Sequence, residues 1–121
     1  MFGGRKFDLV FMGSVLMHLR DPIGALMAAH SVCRRLLIAT TYMSDLFGRP
    51  EPLMRMHERA GGCFNWWVPN RPCLVQWLQA AGFERFDIER TVRLTTDEPY
   101  TDASGNSSGV DQVQQLVHAY V

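Results

Sequence analysis

The sequence predicts an α/β fold in which parallel strands are covered by helices. Three observations predict it. Phe7–Met12 (FDLVFM) is a short, nearly continuous apolar run, Asp21-Pro22 opens a segment with helical spacing, and Leu36–Tyr42 is a second apolar run too short for a helix. Strands of this kind are buried on both faces, which is the property of parallel sheets sandwiched by helices. A strand, a helix and a strand in that order make a βαβ unit with a right-handed crossover and parallel strands.

The first strand follows a Gly-Gly pair and stops at Gly13-Ser14. Asp21 then supplies a capping oxygen and Pro22 a residue preset for the first helical turn. Ile23, Leu26, Met27 and Cys33, with His30 between, follow the spacing of one buried stripe. Arg34 and Arg35 lie near the expected end of that helix, where positive charge is favoured. The βαβ unit is therefore placed at residues 7–42.

Residues 43–69 carry Gly48, Pro50, Pro52, Gly61 and Gly62 among Met54, Met56, Phe64, Trp66 and Trp67. A long, apolar connection leaving the C-terminal end of a strand has the character of a lid or substrate loop. Asn70 is expected to cap a second helix with Pro72 in its first turn, and Gly82 followed by Phe83 to stop it. Arg85–Arg93 alternates polar and apolar residues, as a strand with one wet face near a sheet edge does. Helix and strand together occupy residues 70–94. The remainder, 95–121, reads as a polar loop and a last strand at Leu116–Val121, although Val110, Val113, Leu116 and Val117 also fit a helical period.

The chain has 121 residues, 47% hydrophobic and 20% charged, with twelve Lys+Arg balancing twelve Asp+Glu. That is one core, and burial of roughly two-thirds of the unfolded surface. A neutral balance removes the broad attraction on which non-specific polyanion binders depend. No apolar run reaches the ~20 residues of a membrane helix, and the N-terminus lacks the order of a signal peptide. The expected compartment is the cytoplasm. Cys33, Cys63 and Cys73 form no CxxC pair and fit reduced, packed thiols, so no metal site is expected.

Phe7–Pro22, FDLVFMGSVLMHLRDP, resembles the fourth strand and following turn of class I S-adenosylmethionine-dependent methyltransferases, with the pattern FD-V-F…G-VL-HL-DP. Phe64–Asn70 (FNWWVPN), continuing through Leu78–Phe83 (LQAAGF), is similar to the stretch before and within the fifth helix of the subgroup related to tRNA uridine-5-oxyacetic acid methyltransferases. Together these motifs span most of residues 7–94. The resemblance implies the C-terminal half of a Rossmann-like methyltransferase sheet, β-α-β-α-β-β, with the first-half strands missing. A full member also has a glycine-rich turn after its first strand and an acidic residue that holds the ribose. Gly3-Gly4 and Gly61-Gly62 do not sit between a strand and a helix, so neither serves as that turn. The chain is accordingly expected to be a partial domain. Its Phe7–Met12 edge would pair with a missing N-terminal half or a second copy, or leave a marginally stable fragment.

The resemblance implies S-adenosylmethionine as cofactor and methyl transfer to an acceptor, a small molecule or an RNA base, that the sequence leaves open. Beside it stands a non-catalytic α/β interaction or dimerisation module derived from such an enzyme. Gly13, Ser14 and Val15 are the candidate cofactor contacts, with a plain strand-to-helix turn as the alternative. His18 is the candidate general base, because imidazole titrates near neutrality, or else a turn residue bonded to a loop carbonyl. Tyr42, Trp66 and Trp67 are candidates to stack on the acceptor, or core anchors; Trp77 and His30 read as core, and Asp8 as structural. Where the subgroup has a methionine and a tyrosine in its cofactor pocket, this chain has Gly13 and Met17, and Gln114-Gln115 stand where a basic residue precedes its last strand. Both departures weaken any claim to a carboxylated cofactor or a tRNA substrate.

Overall fold

The computed structural model describes residues 3–41, 49–56, 66–94, 100–101, 107–108 and 112–121. In chain order the elements are β1 (Phe7–Met12), a 3-10 turn (Leu16–His18), α1 (Pro22–Val32), β2 (Cys33–Thr41), β3 (Met54–Arg55), β4 (Val68–Pro69), α2 (Arg71–Ala80), β5 (Arg85–Leu94), β6 (Tyr100–Thr101), β7 (Ser107–Ser108) and β8 (Gln112–Tyr120). The main sheet runs β1-β2-β8-β5. β1 and β2 are parallel, and β8 is antiparallel to both of its neighbours. β3 pairs with β4 and β6 with β7 in short antiparallel ribbons.

Local chemistry explains the helix ends. Asp21 accepts the Gly24 amide at 2.7 Å and opens α1 ahead of Pro22. Asn70 caps α2 by accepting the Cys73 amide at 3.1 Å, and the same oxygen takes the Leu53 amide at 2.9 Å. Its amide nitrogen donates to the Glu51 carbonyl at 2.8 Å, so one buried side chain starts the helix and fastens segment 49–56 to it. At the other end Gly82, with φ +101°, donates to Gln79, while Phe83 donates to Leu78 and folds back fully buried. This paired closure leaves no room for a side chain at Gly82, since a Cβ there would stand 3.2 Å from the His30 ring. His30 itself meets Phe83 edge-on, with ring centroids 4.9 Å apart, in keeping with its packing role.

Both helices cover one face of the sheet. Leu26, Leu74, Trp77, Leu78 and Phe83 form a single cluster with Leu37, Ala39, Val117 and Ala119, and Val10 and Met12 pack against it. Those strand residues lie in register across β1, β2 and β8, so they share that face.

The structure corrects three expectations. β1 is not buried on both faces: Leu9 is 55% and Phe11 68% exposed, because β1 is an edge strand whose partner among the described residues is β2 alone. The buried stripe of α1 is Pro22, Leu26 and Ala29, whereas Met27 is 53% exposed. Cys33 is buried, but as the first residue of β2, which starts three residues earlier than the apolar run; pairing with Phe7 extends the chain there and ends the helix. Arg34 and Arg35 therefore sit on a strand, and Arg34 faces Asp8 in an exposed ion pair of 3.4 Å.

The wet-faced strand is found as β5, at the other edge of the sheet. Its register breaks between Asp87 and Arg90, and the Gln115 side chain donates to the Ile88 and Arg90 carbonyls at the break. The last strand is real and starts at Gln112, so the period of two prevails over the helical one there. Cys33 and Cys73 are buried free thiols, and burial pushes the Cys73 thiol above its ordinary range. Among the described residues there is no group of three or more metal-ligating side chains, and no helix is long and apolar enough to cross a membrane.

Candidate functional site at the C-terminal ends of the parallel strands

β1 and β2 are parallel and β8 opposes them, so the ends of the first two strands and the beginning of the third meet at one side of the sheet. The Gly13-Ser14 turn lies there. Ser14 is the one non-glycine with positive φ among the described residues, at 51°. A side chain in that region persists when its surroundings hold it. The Ser14 amide donates to Thr40 Oγ1 at 2.7 Å, its hydroxyl lies 3.4 Å from the same oxygen, and that hydroxyl donates to Gln114 Oε1 at 2.8 Å. The left-handed position of this turn is thus Ser14, fixed by side chains at the end of β2 and near the start of β8, and not Gly13.

The 3-10 turn follows. Leu16 and Met17 are buried, which turns His18 outward into an exposed position. The Trp66 amide donates to the Met17 carbonyl at 2.6 Å, bringing the end of the long connection alongside. Arg20 completes the group: its guanidinium lies 4.7 Å over the Trp66 ring, and its carbonyl accepts Trp67 Nε1 at 3.0 Å. Both tryptophans are half-buried, whereas Trp77 is a core residue.

His18, Trp66 and Trp67 are therefore gathered around one turn, directly after Gly13, Ser14 and Val15. Tyr42 lies outside the described residues, as does Cys63. Sequence reasoning passed over Thr40 and Arg20, and noted Gln114 only as standing where the subgroup has a basic residue. Arg20 carried a local signal, an arginine two residues from His18 and just ahead of the helix cap. Thr40 carried none, since it reads as an ordinary strand residue.

The arrangement combines a polar, strained turn at the strand ends, an exposed imidazole and an aromatic surface backed by a cation. Open α/β sheets bind ligands at this edge.

No family model matches the chain. It is 34% identical to the tRNA U34 carboxymethyltransferase of Aliarcobacter butzleri over 103 residues, which are 80% of this chain and 32% of that protein. It is 31% identical to the enzyme of the same name from Methylococcus capsulatus over 118 residues, 93% of this chain and 33% of the relative. The chain thus spans about a third of the length of the relatives it matches. Among solved structures, an S-adenosylmethionine-dependent methyltransferase from Thermotoga maritima superposes with a TM-score of 0.59 at 17% identity, over 97% of this chain and 57% of that one. The N-terminal domain of EvdMO1, solved in the presence of SAH and D-fucose, gives 0.57 at 19% identity, over 96% and 47%. In sequence and fold together, the chain belongs to the class I S-adenosylmethionine-dependent methyltransferases, and among them it is similar to a third of the length of the tRNA U34 carboxymethyltransferases.

Proposed function

We propose that this chain supplies the methyl-transfer end of a site that uses S-adenosylmethionine, and that its methyl acceptor is a base of RNA. The observation that carries the reading is the gathering of the Ser14 turn, His18, Arg20 and the two tryptophans at the edge where such sheets bind ligands. The relatives' names favour RNA as the acceptor's source.

When bound, the cofactor supplies an electrophilic methyl group on a sulfonium. That methyl would pass to the acceptor's lone pair, with the sulfur leaving as the neutral thioether. The chain's residues then divide the work. Ser14 and its partners shape the seat at the end of β1, Trp66 with Arg20 offers a flat surface to the acceptor ring, and His18 takes the proton that the acceptor releases. The residues present fit one end of the cofactor only. Gly3 and Gly4 precede β1, and among the described residues the glycine turn between a strand and a helix, Gly13-Ser14, is the methyl-end seat itself. We assign the turn that holds the nucleotide to the part of the relatives' length that this chain does not span.

The test is a fusion of the N-terminal two-thirds of the Aliarcobacter butzleri relative to this chain, titrated calorimetrically with S-adenosylhomocysteine. The expected result is weak binding by the chain alone, with a Kd on the order of 1 mM, and binding at least about a hundredfold tighter by the fusion. A folded fusion that takes up no ligand would overturn the reading.

One observation favours the second reading, a non-catalytic interaction module. β1 carries Leu9 and Phe11 exposed on an edge strand, which is a surface for strand pairing. Under this reading, a second copy or an N-terminal half covers it. Sedimentation of the wild type and of Leu9→Lys/Phe11→Lys tests for the second copy: concentration-dependent association lost in the variant supports it, and a monomer at all concentrations rejects it.

A further inference from the structure

Gln114 is only 2% exposed, and its carboxamide is half used. The oxygen accepts the Ser14 hydroxyl at 2.8 Å. A carboxamide also carries two N–H donors, and among the described residues no acceptor takes either of them. A buried donor left without an acceptor bears the cost of its lost hydration, so native structures keep few of them. Holding Ser14 does not explain the group, because the Ser14 amide is already tied to Thr40 and only the carboxamide oxygen is engaged. Its position, at the start of β8 beside the ends of β1 and β2, is the ligand-binding edge of the sheet.

We infer that the open N–H groups of Gln114 read the ligand seated against the Gly13-Ser14 turn, by donating to an uncharged carbonyl or hydroxyl oxygen of that ligand. The inference rests on the turn being the methyl-transfer site. An uncharged oxygen is specified because Ser14, Thr40 and Gln114 are all neutral, and a carboxylate buried against them would lack a compensating charge within the cluster. Such an oxygen occurs on the ribose of the cofactor and on the base of a nucleoside acceptor, and the two sources are separable.

The experiment titrates the isotope-labelled chain with S-adenosylhomocysteine and, separately, with uridine, and follows the Gln114 side-chain N–H resonances beside the backbone amides of Gly13 and Val15. Expected is a downfield movement of a Gln114 N–H with one of the two. Movement with the first assigns the oxygen to the cofactor; movement with uridine alone assigns it to the acceptor. Gln114→Met should weaken the effective ligand about tenfold, the scale of one neutral hydrogen bond. If the backbone amides move while the Gln114 side chain stays still, the inference fails and the proposed function stands. If nothing moves with either ligand, both fail for this chain.

A ligand-free measurement guards against a purely structural role. Gln114→Met keeps the length and removes the unmet donors together with the oxygen that holds the Ser14 hydroxyl, so its Tm should fall no further than that of a variant lacking only that bond, roughly 4 °C. A fall of more than about 5 °C, roughly one kept interaction in a domain of this size, would mark Gln114 as structural and overturn the inference.

Discussion

Ser14 donates its hydroxyl to the Gln114 carboxamide across 100 residues of sequence, at 2.8 Å, while holding a backbone conformation that serine rarely adopts. Two opposed terms meet at this residue. The left-handed conformation costs a non-glycine residue about 1 kcal/mol, and the hydroxyl bond returns about 1 kcal/mol. Ser14→Ala keeps the first and loses the second, so its Tm should fall by roughly 4 °C. Ser14→Gly loses both and should stay within about 2 °C of the wild type. Thermal unfolding of the two variants checks this, and a glycine variant as unstable as the alanine one would show that the backbone is unstrained.

Asn70 joins three bonds in one buried side chain, to the Cys73 and Leu53 amides and the Glu51 carbonyl. Asn70→Ala removes the helix cap and the bonds to two part-buried backbone groups, at a cost of about 1–3 kcal/mol. Asn70→Asp retains both accepting roles and should lose less. Hydrogen exchange at the Leu53 amide separates the functions of this residue: exchange there should rise sharply in Asn70→Ala and remain slow in Asn70→Asp.

Gly82 answers to two constraints at once, a positive φ and the His30 ring where a Cβ would go. Gly82→Ala should destabilise by about 1–2 kcal/mol. Adding His30→Ala removes the steric part alone, while deleting a ring that packs on Phe83. A double-mutant cycle by urea unfolding should therefore show a favourable coupling between the two substitutions. Strict additivity would place the whole cost in the backbone.

The reach of sequence reasoning follows the range of the interactions. The caps at Asp21 and Asn70 and the stop at Gly82 were legible because each is made within a few residues of itself. The two parallel strands were legible from their apolar runs. Burial of β1 was not, because an apolar strand takes its exposure from its neighbours, and among the described residues β1 has one. Cys33 was drawn into the helix since its spacing continued the stripe; strand pairing with Phe7 decides otherwise. At the site, residues close to one another in sequence, Gly13 through His18, could be nominated. The bonds from Ser14 to Thr40 and Gln114 could not, since they span 26 and 100 residues.

Cys73 gives stability a pH dependence at the alkaline end. Desolvation raises its thiol above the ordinary value of 9.0. The folded state therefore keeps a proton that the unfolded state releases, so stability falls as pH rises through and above that ordinary value. Below it this contribution is fully present. Urea midpoints measured from pH 7.5 to pH 10.5, about 1.5 pH units either side of that ordinary value, should decline less in Cys73→Ala than in the wild type over the upper part. The same proton should leave Cys73 slow to react with a thiol reagent until the chain is unfolded.

His18 is exposed at the end of the 3-10 turn, beside the Trp66 segment that the Met17 carbonyl holds. A base in that place acts on the proton of a bound acceptor and does little to bind it, so its loss should appear in kcat rather than KM. In the fused protein, with radiolabelled methyl incorporation into total tRNA as the readout, His18→Ala should lower kcat by about 10²- to 10⁴-fold with KM nearly unchanged. Trp66→Ala gives the contrasting pattern, a raised KM with a smaller change in kcat, because stacking holds the acceptor ring equally before and during transfer. If His18→Ala altered KM alone, the imidazole would be a contact to the acceptor and the proton would leave by another route.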